Sequence, residues 1–500
     1  MNNTNDVTQI VIEFREDLHS SFQYRADATM NLIDSIAANT MATSPVELSL
    51  NPTFPRRYSS LHDAVDNFFV PVDLQESESE RMENQIIRMR IIADHIPDPV
   101  RRNFFLFGLD VTPHPRQFAH TLKDRGIQYY PNPAPGNKPI IIGHSYSILA
   151  ALPEKDPNKK ESPWVLPLLA RRVPTDRKAT QVGAEQVDHL MEDLYLPFRN
   201  ELCAVVADSA YSTYKYLGQI VKHDNLAAIV RSRGNRNFYR MPETSLTLMP
   251  SPGDAKPKGK RRGHPTWYGP KFKLPDPSTW HKEDTTESRA FTFKNGRPAT
   301  VTIQSWNNML MSGTHEIPMY KSPFTLIRVT VHDNEGKTVF KRPLWLIVCG
   351  ERRHEISPYD AYEAYMQRYD LEHFFRFGKN KLLMISYQTP DVAHEENWWE
   401  IVSLSYADLF TAAPLAENLP KPWEIYLLQV KESDPDVLPS PSMVQRDMDR
   451  IISGIGTPAD LPKPRGKSPG RKKGDSPERR KRHPYIKKGK QATPAEARAA

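Results

Sequence analysis

A chain of 500 residues with 38% hydrophobic content is long enough for about two to four domains with a sizeable core. Its two cysteines, Cys203 and Cys349, exclude a disulfide framework, and with no C-x-x-C or H-E-x-x-H they point away from zinc. The formal charge is +7, but residues 463–490 hold 13 Lys/Arg against Asp475 and Glu478, so that stretch carries +11 and the remainder −4. The opening MNNTNDVTQI lacks a basic-then-apolar leader, and no run of about 18 apolar residues occurs, so the reading is a soluble cytoplasmic chain with no membrane partner.

Residues 1–100 read as a helical unit, with helical apolar recurrence over 11–36 and 83–96 and a loop at Pro45, Pro52 and Pro55. Residues 101–235 read as α/β. Strands are expected at 104–110, 127–130, 139–147, 164–170, 202–208 and 226–231, with a crossover helix over 181–196 stopped by Pro197 and a shorter helix over 213–221. Residues 236–340 begin with a Pro/Gly/Lys-rich loop, SPGDAKPKGKRRGHP. Alternating runs come next at 290–293, 299–305 and 325–332, with a hairpin-like turn at 333–336; this reads as a β-rich insertion. Residues 341–460 return to the core through PLWLIVCG, then a helix over 358–381 and an amphipathic helix near 397–415. Residues 461–500 are low-complexity and basic and read as disordered; the functional alternative to a solubilising tail is an electrostatic DNA clamp.

The densest chemistry lies in PYDAYEAYMQRYDLEHFFRFGKNK, residues 358–381, where Tyr365, Arg368, Glu372 and Lys379 are spaced as Tyr-x2-Arg-x3-Glu-x6-Lys. On a continuous helix the four share one face. An acid flanked by two cations and a phenol suits a metal ion held against a phosphate backbone; the bland alternative is a solvated charged face.

This pattern resembles the signature of the DDE transposases of bacterial insertion sequences. The resemblance implies that Glu372 is a metal-binding acid, that Tyr365, Arg368 and Lys379 hold DNA-end phosphates, and that two aspartates lie upstream at the ends of apolar strands. Asp110 in FFLFGLDVT and Asp208 in ELCAVVADSAYS fit, each with capping or strand-ending as its ordinary alternative. The implied fold is α/β: an RNase H-like catalytic core interrupted by the insertion, with a helical N-terminal, DNA-end-binding domain and a disordered basic C-terminal tail. The implied cofactor is a pair of Mg²⁺ ions, with Mn²⁺ as a substitute, held by Asp110, Asp208 and Glu372 for in-line displacement at phosphorus. The implied partners are double-stranded DNA, as terminal inverted repeats and target, and a second copy of the chain in a synaptic complex at the nucleoid. Trp345 is either a base-stacking residue or a core tryptophan, and Arg231, Arg233 and Arg236 are either DNA-backbone contacts or a solvated loop. An inactive DNA-binding descendant and a stand-alone RNase H-like nuclease are the rival readings.

Overall fold

The computed structural model describes residues 2–69, 78–130, 139–156, 159, 161–242, 267–293, 296–417, 419, 437–464, 470, 474, 476 and 479–487. The basic loop expected at 251–265 lies outside them.

Among the described residues the first helices are α1 Asn2–Ser20, α2 Ala26–Ala37, α3 Pro45–Leu48, α4 Tyr58–Asp66 and α5 Glu78–Ala93. The periodic stretch 11–36, expected as one helix, is two. The Ser21 hydroxyl donates back to the Leu18 carbonyl (2.7 Å), and Arg25 turns the chain at φ 52° into α2. These helices are tied to the rest of the chain. Arg15 on α1 bridges Asp34 on α2 (2.6 Å) and Asp408 far along the chain (2.7 Å), with all three side chains buried.

The centre is a ten-stranded sheet. Its first strands are β1 Phe105–Pro115, β2 Gly126–Tyr129, β3 Ile140–Ala151 and β4 Leu166–Arg172. Then come α6 Ala179–Glu192, β5 Cys203–Ala207, α7 Tyr214–Ile220 and β6 Leu226–Ser232. A small ribbon is next, β7 Asn237–Tyr239 with β8 Lys271–Lys273, and then β9 Thr285–Thr292, β10 Pro298–Met309, β11 Phe324–Asp333 and β12 Leu344–Cys349. The order is β2-β3-β1-β5-β6-β12-β11-β10-β9, with β4 also on β3; β1, β5 and β6 are mutually parallel and the other pairings antiparallel. The later strands do not form a separate layer. β12 pairs with β6 on one side and β11 on the other, so β9–β12 extend the same sheet.

Among the described residues the α-helices that follow are α8 Pro358–Gln367, α9 Asp370–Lys381, α10 Val392–Ala412 and α11 Pro441–Ile455. The expected single helix over 358–381 is therefore broken at Arg368–Tyr369. The helix expected to be amphipathic, α10, is buried along nearly its whole length, because β4 packs on one side and α1, α2, α4 and α11 on others. Among the described residues no helix is long and apolar enough to cross a membrane.

Alternation along β1 assigns the two faces of the sheet. A Cβ on Gly108 would lie 2.8 Å from Leu371 of α9, whereas Leu109 lies against Gly183 of α6. Even-numbered β1 residues thus face α9 and α10, and odd-numbered ones face α6.

The tail corrects the expectation of disorder in one segment. The His483 N–H donates to the His120 carbonyl (2.7 Å) and the Ile486 N–H to the Arg125 carbonyl (2.7 Å), and Ile486 bridges Gly126 in parallel. A strand edge offers unpaired backbone groups to any segment that can reach it, and residues 483–486 bond the turn leading into β2 and bridge its first residue, Gly126.

Candidate active site

Asp110 lies in the middle of β1, not at its end as expected. It is nonetheless the first residue past the parallel pairing with β5, which stops at Leu109 opposite Ala207; Asp208 is the next residue on the neighbouring strand. The same register places Arg231 beside Asp208, since Ala207 pairs with Val230 on β6. Parallel pairings that end together, where β5 stops, thus bring both aspartates and an arginine side by side across the sheet centre.

The third acid arrives from above. Gly108 has no side chain, so Leu371 seats directly on β1 and puts Glu372, in the first turn of α9, over the same face as Asp110. Arg368, at the α8–α9 break, donates through Nη1 to Asp110 Oδ2 (2.7 Å), and its Nη2 is 3.9 Å from Glu372 Oε1. The other Asp110 oxygen accepts the Val111 N–H (2.8 Å), and Asp208 Oδ1 accepts the Ala210 N–H (2.8 Å). Burial raises the Asp110 carboxyl above the usual carboxylate range. Arg368 and the Val111 N–H oppose that rise, while the Asp208 and Glu372 charges add to it. Arg368 keeps a raised pKa: burial disfavours its charge, but Asp110, Tyr365 and Asp208 outweigh that.

Lys379, in the last turn of α9, donates to Thr112 Oγ1 and to the Pro113 carbonyl (3.3 Å), both on β1. These partners are neutral, and burial pushes its pKa down to about 8. Tyr365 is buried, with the Arg368 guanidinium carbon 5.8 Å from its ring centre. The stripe expected on one helix is thus assembled from two, all close to β1.

Arg231 and Arg233 are exposed, and Arg236 donates to the Ser212 carbonyl (3.3 Å) in the loop after Asp208. Trp345 differs from its base-stacking expectation. It is 3% exposed and packed among Phe272, Trp280 and Trp306, so a base cannot reach its ring unless that cluster opens. His144 is buried and bonds Glu395 of α10 (2.6 Å).

The donor set fits hard divalent cations. The Asp208 and Glu372 charges act on Asp110 at a partly open site, and an arginine stands where a counter-ion is needed. Their oxygens do not all close to within 4.8 Å of one another; among the described residues the group that does is Asp188, Glu192 and His223. That group lies on α6 and just after α7, and Lys222 Nζ already neutralises it at 3.0 Å from Asp188 and 3.2 Å from Glu192. Sequence reasoning missed Gly108 and Thr112. Their period-two spacing around Asp110 was the available signal.

The family model of the DDE superfamily endonucleases matches residues 17–309, a span that includes Asp110 and Asp208 and ends before Glu372. No curated protein matches the chain.

Proposed function

The chain belongs to the DDE superfamily endonucleases, and on that footing we propose that it is a transposase, cutting DNA at the ends of a mobile element and joining the freed 3′-OH to target DNA. DDE endonucleases act on DNA and generally use divalent metals. The observation that carries the reading is the half-buried Asp110 carboxyl, flanked by Asp208 and Glu372 and gripped by Arg368. A carboxyl made costly to ionise by burial and by two acidic neighbours is useful where cations will share it.

In this reading Asp110, Asp208 and Glu372 hold two Mg²⁺ ions, with Mn²⁺ as a substitute. The ions supply stabilisation of the attacking and leaving oxygens of an in-line displacement. Lys379 supports the phosphate assignment. A half-buried ammonium with only neutral oxygen partners is a site short of an anion, and a DNA phosphate supplies one. Arg368 offers a planar fork suited to the phosphate next to the scissile bond, and Tyr365 holds that fork from below. Arg231, Arg233 and Arg236 extend the basic surface past Asp208. The strand order β4-β3-β1-β5-β6, three antiparallel strands and then two parallel additions, supports an RNase H-like core, with β7–β11 as the insertion that delays the third acid. Helices α1–α5 are assigned to DNA-end recognition, and a homodimer would synapse two ends.

The test is incubation with Mg²⁺ and a duplex carrying the inverted repeats that flank the gene. Nicks at the repeat ends and joined products are expected. Asp110→Ala, Asp208→Ala and Glu372→Ala should each lose cleavage by roughly 100-fold or more while keeping the fold. Near-normal cleavage by any variant removes that residue from the site. Nicking of any duplex without joining identifies a stand-alone nuclease.

A further inference from the structure

A second basic site lies at the sheet edge, away from the acids. β3 carries β2 on its first residues and β4 on its last, both on the side away from β1, and a cavity of about 830 Å³ opens beside the join. Arg171 and Arg172 leave β4 on opposite faces there. Lys123 comes from the turn into β2, Arg177 from the approach to α6, and Arg480 and Lys481 from the docked C-terminal segment. The lining has seven Lys/Arg against Asp391 and Glu396. Asp124 and Glu185, just outside it, pair with Arg172 and Arg177. Counting those two acids, the cavity without the tail is close to neutral, and the positive surplus depends on Arg480 and Lys481.

The tail segment is seated, not draped. Its backbone bonds to His120 and Arg125 are joined by one from Arg125 Nη2 to the His483 carbonyl (2.9 Å). Arg125 is 2% exposed and also holds the Arg116 and Gln117 carbonyls (3.1 Å each), so it ties the segment to the turn before β2. This fixes Arg480 and Lys481 on the cavity wall at a defined place.

The location bears on the ligand. Arg172 pairs with Tyr146, and Tyr146 with Thr112, two residues past Asp110 on the same face of β1. Two strand spacings, roughly 10 Å of sheet, separate Arg172 from β1. Trp399 of α10 stacks on Tyr146 between the two, so a duplex held at the acids would have to pass around α10, not across the sheet face, to bring its backbone to the cavity.

We propose that this cavity is a second phosphodiester-binding site, completed by the chain's own C-terminal segment, which grips the backbone of the duplex whose cleavage the acids perform. It rests on the DNA-cleaving reading of the acids and adds a built subsite in place of a loose electrostatic tail.

Binding of a labelled duplex of arbitrary sequence, measured by fluorescence anisotropy across a KCl series, tests it. Lys123→Gln and the double variant Arg480→Gln/Lys481→Gln should each weaken binding about three- to tenfold at low salt and flatten the log K against log salt slope by about one per charge removed. Ile486→Pro decides between a seated and a loose tail. It keeps every charge but removes the N–H bonded to Arg125, and it should weaken binding about as much as the double variant. An Ile486→Pro protein with the wild-type affinity and slope, or a Lys123→Gln protein with no change, overturns the site. Duplex RNA competing as well as duplex DNA overturns the DNA assignment. Failure of the wild-type chain to bind or cut any duplex overturns the parent reading instead, so the two failures are distinguishable.

Discussion

Lys379 is the residue at which stability and activity oppose each other. Its pKa of about 8 lies below the ordinary lysine value of about 10.4. Between the two, the unfolded chain binds more protons than the folded one, so stability should rise with pH through that window; below it the penalty of burying the charge is fully present. Lys379→Met should raise the melting temperature at pH 7 by on the order of 1–2 °C and flatten the rise between about pH 8 and 10. The same variant should bind and cut end DNA less well. Melting curves from pH 6 to 10 alongside cleavage assays check both halves, and a Lys379→Met protein that is less stable and equally active refutes the assignment. The lysine was legible because the signature spacing singled it out. Its neutral partners were not, since Thr112 and Pro113 lie on a strand far away in sequence.

Elements were read well where one physical signal dominated and poorly where two conflicted. The apolar run ending at Asp110 announced β1, but Pro113 and Pro115 argued against its continuation. The strand continues because the Arg116 N–H donates to Ile142 on β3 (2.9 Å), so odd-numbered N–H groups point to the other side, which β5 has already vacated. Proline loses nothing there. The break between α8 and α9 has no local signal at all: neither Gly nor Pro lies between Tyr359 and Phe377. It shows only once β1 is present, with Arg368 reaching down to Asp110 and Leu371 seated on Gly108. That seat is testable. Valine suits strands better than glycine, so Gly108→Val should keep the sheet, yet its side chain needs the space Leu371 fills. Cleavage should fall by about tenfold or more as α9 and Glu372 are displaced, with far-UV circular dichroism unchanged. Full activity in that variant means α9 does not depend on this contact.

For the whole molecule, the decisive link is Arg15 with Asp34 and Asp408. It joins the first helices to α10, and the N-terminal helices share one hydrophobic core with the sheet. Composition suggested a separable N-terminal unit, because a buried ion pair across nearly four hundred residues leaves no mark on local sequence. Arg15→Met should destabilise by about 3–5 kcal/mol, since two buried acids lose their cation. Burial already holds Asp408 up to about 6. The loss should therefore be larger above that value, where Asp408 is charged, than below it, where Asp408 has taken up its proton. Urea titrations at pH 5 and pH 8 measure the difference, and equal losses at both exclude the pair as the cause.

The sheet order also has a consequence for the chain as it leaves the ribosome. β6 waits for its second neighbour through the whole stretch between Ser232 and Leu344, and the far edge of β2 waits until His483 and Ile486 emerge. Until those later segments emerge the nascent protein exposes raw strand borders, and Asp110 and Asp208 are made well before Glu372. The acids are united only after β12 and α9 have followed. A long interval of that kind is when an unfinished sheet is most exposed to mispairing.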